Sequence, residues 1–170
     1  MKTGDGTFKL VEARAEGEKL LKYTGGTVVS NGTFVVDGSL VADGAKSFEV
    51  AAGAALDLNG TTLSGATVSG AGTIANGVLS GSTLVCGGDL PTFDGVTGAL
   101  SIDFGKTKAD PLDMKAPVVI GHYTGDAPTG LTFRTKPLNT GVDRAVVSVS
   151  FENGDIVASV RLSGMALILR

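Results

Sequence analysis

Residues 61–88 read TTLSGATVSGAGTIANGVLSGSTLVCGG, a run of short apolar or hydroxyl-bearing segments separated by glycine. The pattern begins near Thr24, and from there to Gly88 the chain contains fourteen glycines and no proline. Segments this short cannot bury an apolar face on their own. Their repetition therefore predicts an all-β chain in which successive coils stack on one another as a β-solenoid.

Apolar residues and turn residues alternate within this stretch. The apolar positions recur every five or six residues, which predicts one inward side chain on each short side of a coil: Leu63, Val68, Ile74, Leu79 and Leu84. Three such sides make a coil of roughly 18–22 residues, within the range of solenoid repeats. Turns are predicted where Asn or Asp precedes Gly, because these residues tolerate positive φ: Asn31-Gly32, Asp37-Gly38, Asp43-Gly44, Asn59-Gly60 and Asn76-Gly77.

Composition divides the chain into three zones. Residues 1–23 hold nine charges and predict an N-terminal cap, in which residues 8–16 fit an amphipathic helix and residues 7–11 fit a strand equally well. Residues 24–105 are the predicted solenoid. Residues 106–170 predict an antiparallel β cap, with a loop at 106–117, strands at 118–123, 131–135, 145–151, 156–162 and 166–169, and a hairpin at FENGDI (151–156).

Charge and hydropathy limit the partners of the chain. The net charge of −3 and the pI near 5.1 argue against nucleic acid and anionic lipid as ligands. The longest apolar runs fall far short of the roughly 20 residues that span a bilayer. The start MKTGDGTFKL lacks the apolar core of a secretory signal. We expect a mature fragment of an exported protein, because so few charges in a Gly/Thr/Ser-rich solenoid are typical of extracellular surface proteins.

Three stretches carry a resemblance to a known family: GGTVVSNGTFVVDGSL (25–40), GAALDLNGTTLSGATVSGAGTIANG (53–77) and ENGDIVASV (152–160). They resemble the β-strand repeats of bacterial autotransporter passenger domains. The resemblance implies a right-handed parallel β-helix displayed outside the cell, with adhesive or scaffolding roles more often than catalysis. It implies no functional residue, because the shared pattern concerns turns and core positions.

Three carboxylates are the first candidates for chemistry. Asp37, Asp43 and Asp57 suit a calcium site or the two-carboxylate pair of glycoside cleavage. Asp37 and Asp57 are twenty residues apart, near one coil, so they could stack about 5 Å from each other. Turn capping is the simpler hypothesis, since Asp37 precedes a glycine and Asp57 begins Asp-Leu-Asn-Gly. Lys46 stands alone, so no basic partner supports lyase chemistry.

A histidine and a cysteine are the next candidates. His122 with Tyr123 and Asp126 suggests a general-base cluster, although a histidine in a strand before a Gly-Asp turn is more typical of a structural residue. Cys86 is the only cysteine, which excludes an internal disulfide and a multi-cysteine metal site. We expect its thiol to be buried and unreactive.

Threonines and a glycine pair complete the candidates. A ladder of hydroxyls that orders water at an ice surface would draw on Thr61, Thr67, Thr73 and Thr83. Their spacing of six, six and ten residues favours ordinary strand preference instead. Gly70 and Gly72 are a weak glycine pair without a following helix, so no nucleotide site is predicted.

The sequence therefore predicts no catalytic, cofactor-binding or metal-binding residue, and no cofactor. The preferred hypothesis is a non-enzymatic structural or adhesive segment of an exported bacterial surface protein. Its partner would be a glycan or another ligand on a host or cell surface, and no membrane-spanning segment is expected. The alternatives are a carbohydrate-active or glycan-binding β-helix domain and an intracellular β-helical filament protein.

Overall fold

The computed structural model of the protein describes residues 1–11, 25–37 and 47–164. These residues form β-strands and no helix. The strands in chain order are β1 (Thr7–Val11), β2 (Thr27–Val29), β3 (Thr33–Asp37), β4 (Ser47–Val50), β5 (Ala55–Asp57), β6 (Thr62–Ser64), β7 (Thr67–Ser69), β8 (Thr73–Val85), β9 (Thr92–Lys106), β10 (Val118–Tyr123), β11 (Leu131–Phe133), β12 (Leu138–Thr140), β13 (Ala145–Glu152) and β14 (Asp155–Leu162).

Three parallel sheets form the sides of a β-solenoid. The first side consists of β1, β3, β5, the first parts of β8 and β9, and β10. The second side consists of β6, the middle parts of β8 and β9, and β11. The third side consists of β2, β4, β7, the last parts of β8 and β9, and β12. The long strands β8 and β9 therefore each pass around one whole coil.

The length of a coil follows from the strand register. Thr33, Ala55, Thr73 and Thr92 occupy the same position of the first side in successive coils. The interval from Thr33 to Ala55 is the longest of the three and that from Ala55 to Thr73 is the shortest, and all three fall within the predicted coil length. About three turns thus lie between Thr33 and Thr92. The register confirms the predicted repeat and the predicted all-β solenoid.

Stacked columns of apolar side chains fill the interior. On the first side Phe34, Leu56, Ile74 and Phe93 follow one another in register and are buried. Each such side chain contributes roughly 1.5–3 kcal/mol by leaving water. The inward positions predicted from periodicity are all buried, at 1% exposure or less: Leu63, Val68, Ile74, Leu79 and Leu84.

The N-terminal end of the stack is the strand β1. It pairs in parallel with β3, so the strand interpretation of residues 7–11 is confirmed. Phe8 holds the column position next to Phe34, with ring centroids 5.6 Å apart, but remains 48% exposed. The predicted cap of residues 1–23 thus includes a strand of the solenoid, and residues 12–24 lie outside the described ranges.

The parallel coils continue further than expected. β10, β11 and β12 all pair in parallel with β9 and make one more coil. The solenoid therefore extends beyond the predicted boundary at residue 105, and the prediction that residues 106–170 are antiparallel throughout is wrong. The reason is that the proline-bearing loop after β9 is inserted between two coils, and the next strand recovers the register behind it.

A C-terminal hairpin provides the antiparallel cap. β13 and β14 meet at the predicted turn, where Asn153 and Gly154 have φ of 52° and 89°, as a type I′ turn requires. β14 also pairs antiparallel with β10. Ile156, Ala158 and Val160 are buried in the same apolar cluster as the solenoid interior, so the cap shares the core of the solenoid.

The predicted turns can be followed in most places. Asn59 and Gly60 both have positive φ, of 47° and 76°, and Asn76 has φ of 55° where β8 passes from the first side to the second. The turn at Asp37-Gly38 runs into residues outside the described ranges. The turn at Asp43-Gly44 and the predicted strand at 166–169 lie entirely outside them.

A charge in the first-side column tests the solenoid. Ile74 is fully buried, so Ile74→Asp places an unpaired carboxylate among apolar side chains. We expect the free energy of unfolding to fall by about 4 kcal/mol or more. Thr73→Asp is the matched control, because Thr73 is the neighbouring residue and is half-buried on the outward face. Urea unfolding of both variants measures the difference. Equal losses for the two would contradict the assigned orientation of β8.

A glycine tests the close approach of two coils. Gly98 has φ of 118°, and a Cβ there would run into the backbone of Leu79 in the adjacent coil. Gly53 has φ of 78° but faces open space. We expect Gly53→Ala to cost about 1 kcal/mol through backbone strain alone, and Gly98→Ala about 3 kcal/mol or more because overpacking is added. Thermal melts that rank the two variants in the opposite order would refute the register of β8 and β9.

Candidate functional site

Asp57 caps a turn. Its Oδ1 accepts hydrogen bonds from the backbone N–H of Asn59 at 2.9 Å and from Nδ2 of Asn76 in the next coil at 3.2 Å. Asp57 lies opposite Val35 and not opposite Asp37. The hypothesis that Asp37 and Asp57 stack directly is therefore wrong, because the coil between β3 and β5 is longer than the spacing of the two aspartates. Asp43 and Lys46 lie outside the described ranges.

His122 is paired with a carboxylate other than the one expected. Its Nδ1 lies 2.8 Å from Oδ1 of Asp155, across the pairing of β10 with β14. An ionised carboxylate only accepts hydrogen bonds, so Nδ1 carries the proton. Tyr123 instead packs edge-on against Phe151, with ring centroids 5.8 Å apart. Asp126 is exposed beyond the end of β10. The histidine thus fastens the hairpin cap to the last coil.

The four threonines of the hypothetical ladder belong to different places. Thr67 and Thr83 are register partners on adjacent strands of the third side. Thr73 belongs to the first side. The hydroxyl of Thr61 donates to the carbonyl of Leu58 within a turn, at 2.5 Å. They therefore do not form one row.

The glycine pair Gly70 and Gly72 serves packing. A Cβ at either position would meet Val50 of the preceding coil, so these glycines let two coils approach each other closely.

Cys86 directly follows β8 on the third side and is partly buried, so it is less enclosed than predicted. Its Sγ lies 3.9 Å from the carbonyl oxygen of Ile120. Burial raises the pKa of the thiol to about 12, and the negative charge of Asp103 adds to this effect. The thiolate is the reactive form, so the environment holds the cysteine in its unreactive state.

A groove on the surface gathers the cationic side chains of two loops. We call it the basic groove; it has a volume of about 480 Å³ and is lined by residues 106–108, 136–137 and 139–145. Among these described lining residues, four side chains are cationic and one is anionic: Lys106, Lys108, Lys136, Arg144 and Asp143. The groove thus concentrates positive charge on a chain whose net charge is −3.

Strand pairing holds the two loops of the basic groove together. β12 lies on the end of β9, with Leu138 opposite Asp103 and Thr140 opposite Lys106. The Asp103 carboxylate accepts a hydrogen bond from Nδ2 of Asn139 at 2.8 Å. The N–H of Leu112 donates to the carbonyl of Thr140, also at 2.8 Å. The walls are therefore fixed by backbone pairing before any ligand arrives.

The cations of the basic groove differ in how they are compensated. Lys106 makes an ion pair with Asp110 at 2.9 Å. Lys108 lies 3.9 Å from Asp143, and both side chains are more than four-fifths exposed, so this pair is weak. Within the part of the chain that the structure describes, Lys136 and Arg144 make no ion pair. No carboxylate of the described residues thus compensates these two positive charges.

Arg144 also has an unusual backbone. Its φ is 62°, in the left-handed region that non-glycine residues of this size rarely enter. The carbonyl of Arg144 accepts a hydrogen bond from the N–H of Ser163 at 2.8 Å, which holds the residue at the start of the hairpin. Strain of this kind concentrates at functional sites.

Sequence reasoning missed the basic groove. The KTK of residues 106–108 was visible as a charged loop, but Lys136 and Arg144 lie far downstream in the chain. Only the register of β12 on β9 brings the two loops together. If the coil after β9 had the regular length, the proximity of the two loops could have been read from the sequence. The long insertion after β9 hides their register.

The described residues hold no group of three or more His, Cys, Asp or Glu side chains arranged to bind a metal ion. Nor do they contain a helix of the length and hydropathy needed to cross a lipid bilayer. Comparison of the chain with known protein families, with curated proteins and with solved structures found no match.

The raised pKa of Cys86 gives a test of its environment. At pH 8 a thiol with a pKa of about 12 is ionised in only about one molecule in ten thousand, so alkylation by iodoacetamide should be very slow and should accelerate as the pH rises. Asp103→Asn removes the smaller cause of the shift, so the pKa should fall somewhat and labelling at pH 8 should quicken. Unfolding in urea supplies the fully reactive control. Native labelling as fast as in urea would refute this description.

Proposed function

We propose that the chain is a non-catalytic structural or adhesive segment of an exported surface protein. The observation that carries the proposal is the arrangement of the solenoid, in which stability comes from the interior columns and the outward positions are free to vary. Such a scaffold holds a surface in a fixed shape over the height of several coils. The resemblance to autotransporter passenger repeats favours the same role.

The outward positions support a scaffold role. The third side carries a register of small hydroxyl-bearing residues that are exposed or half-buried, namely Ser47, Thr67 and Thr83, and the next residue of this register, Ser101, is buried. Small polar side chains solvate the sheet without creating an apolar patch that would recruit other proteins. The specific contacts of an adhesive segment then belong to the loops at the corners of the coils.

A glycan-binding role is the second candidate, and the basic groove favours it. Its paired backbone walls and its cations, two of which have no carboxylate partner among the described residues, are features of a binding site and do not by themselves perform catalysis. The filament alternative is less favoured. A further parallel coil would need the outer edge of β10, and the antiparallel strand β14 already occupies that edge.

Adhesion and turnover can be measured on the same protein. Beads coated with the chain are expected to be retained on immobilised bacterial or host polysaccharides, while a panel of the same polysaccharides in solution shows no chain cleavage. Beads coated with the unfolding variant Ile74→Asp are the control for non-specific adhesion. Release of reducing ends from any polysaccharide would refute the non-catalytic role, and retention equal to that of the unfolded control would refute the adhesive role.

A further inference from the structure

We propose that the basic groove binds an acidic oligosaccharide, a short sugar chain that carries sulfate or carboxylate groups. This inference rests on the proposed adhesive function and names the ligand class of one site within it. Three features of the groove lead to it: its charge, its polar but non-aromatic lining, and the strained position of Arg144.

The cationic side chains of the basic groove favour an anionic ligand. Lys136 and Arg144 have no carboxylate partner among the described residues, and the only carboxylate of the described lining, on Asp143, lies 3.9 Å from Lys108. A guanidinium binds sulfate or carboxylate through two parallel hydrogen bonds, and a lysine adds a point charge. An anionic group seated between Lys136 and Arg144 therefore pairs with cations that have no carboxylate partner among the described residues.

The side chains that line the basic groove favour a sugar over a nucleic acid as the ligand. None of the described lining residues is aromatic, so they offer no platform on which a base can stack. The net charge of −3 also repels a long polyanion. Thr107 and Asn139 are exposed and lie beside the cations. The Thr107 hydroxyl accepts from the N–H of Asp110 and keeps its proton to donate, and Asn139, whose Nδ2 binds Asp103, offers Oδ1 to a saccharide hydroxyl. The volume of about 480 Å³ accommodates a small ligand.

The backbone conformation of Arg144 supports a binding role for the groove. A left-handed backbone is unfavourable for arginine and nearly free of cost for glycine. Glycine at this position would give the same turn without strain, yet the side chain present is a guanidinium that lines the basic groove. The guanidinium is thus placed beside the groove at a backbone cost that glycine would avoid.

The first experiment titrates the intact chain with defined probes. Sulfated heparin hexasaccharide and trigalacturonate separate sulfate from carboxylate as the recognised group, maltohexaose is the neutral control, and a short single-stranded DNA is the competing polyanion. We expect saturable binding of at least one acidic oligosaccharide by calorimetry, weakened as salt screens the charges. NMR shifts should centre on the amides of Thr107, Asn139 and Arg144. Binding of neither acidic probe, equal binding of maltohexaose, or tighter binding of DNA would each overturn the proposal.

The second experiment separates binding from folding. Arg144→Gly should leave the Tm unchanged or raise it, because glycine adopts φ of 62° without strain, and should weaken binding of the acidic probe roughly tenfold or more. Lys136→Gln should also weaken binding. Lys115→Gln makes the same change of net charge outside the groove and should leave the affinity unaltered. Equal affinities of all three variants and the parent chain would overturn the assignment of the site.

Failure of the site and failure of the function are distinguishable. If Arg144→Gly beads adhere to polysaccharide as well as the parent chain does, the groove is the wrong site and the adhesive role stands. If the acidic probe binds in the groove but parent beads do not adhere, the site stands and the adhesive role falls.

Discussion

In-register stacking of inward side chains is the constraint on which the molecule depends. Phe34, Leu56, Ile74 and Phe93 occupy one column, and each closes the space above and below its neighbours. A slip of one residue in any strand would turn its inward residue to solvent. Extra chain therefore enters only at corners between strands, where it leaves the register of the next strand intact. The loop between β9 and β10 is such an insertion, and it forms part of the basic groove.

The local parts of the fold were predictable because their cause is local. Inward positions such as Leu79 follow from a spacing of five or six residues, and the hairpin at Asn153-Gly154 follows from the preference of those residues for positive φ. The misses arose where a coil departs from the mean length. The long coil between β3 and β5 moves Asp57 out of register with Asp37, and the still longer interval between β9 and β10 hides the last parallel coil. β12 was missed because Pro137, which precedes it, is typical of a loop.

The same cause explains why the candidate site was not predicted. A site on a solenoid is assembled from residues one coil apart, so it can be read from sequence only when the coil length is known. Asp103 and Leu138 are register partners, yet they lie nearly twice as far apart in the chain as partners in the regular coils do. Lys106 and Lys136 therefore appear in the sequence as unrelated charged loops. His122 shows the complementary error, because its carboxylate partner comes from the hairpin and not from the adjacent turn.

Stability and the proposed ligand site lie in different parts of this architecture. The columns and the capping hairpin form one continuous apolar cluster, so most of the apolar burial lies away from the corners. A corner can therefore hold a residue that costs on the order of 1–3 kcal/mol in backbone strain, as Arg144 does at φ of 62°. Its carbonyl is fixed by Ser163 at the end of the hairpin, and the opposite wall is fixed by β9. The backbone at Arg144 is thus held by the hairpin and the opposite wall of the groove by β9, which is the arrangement that a preorganised binding site requires.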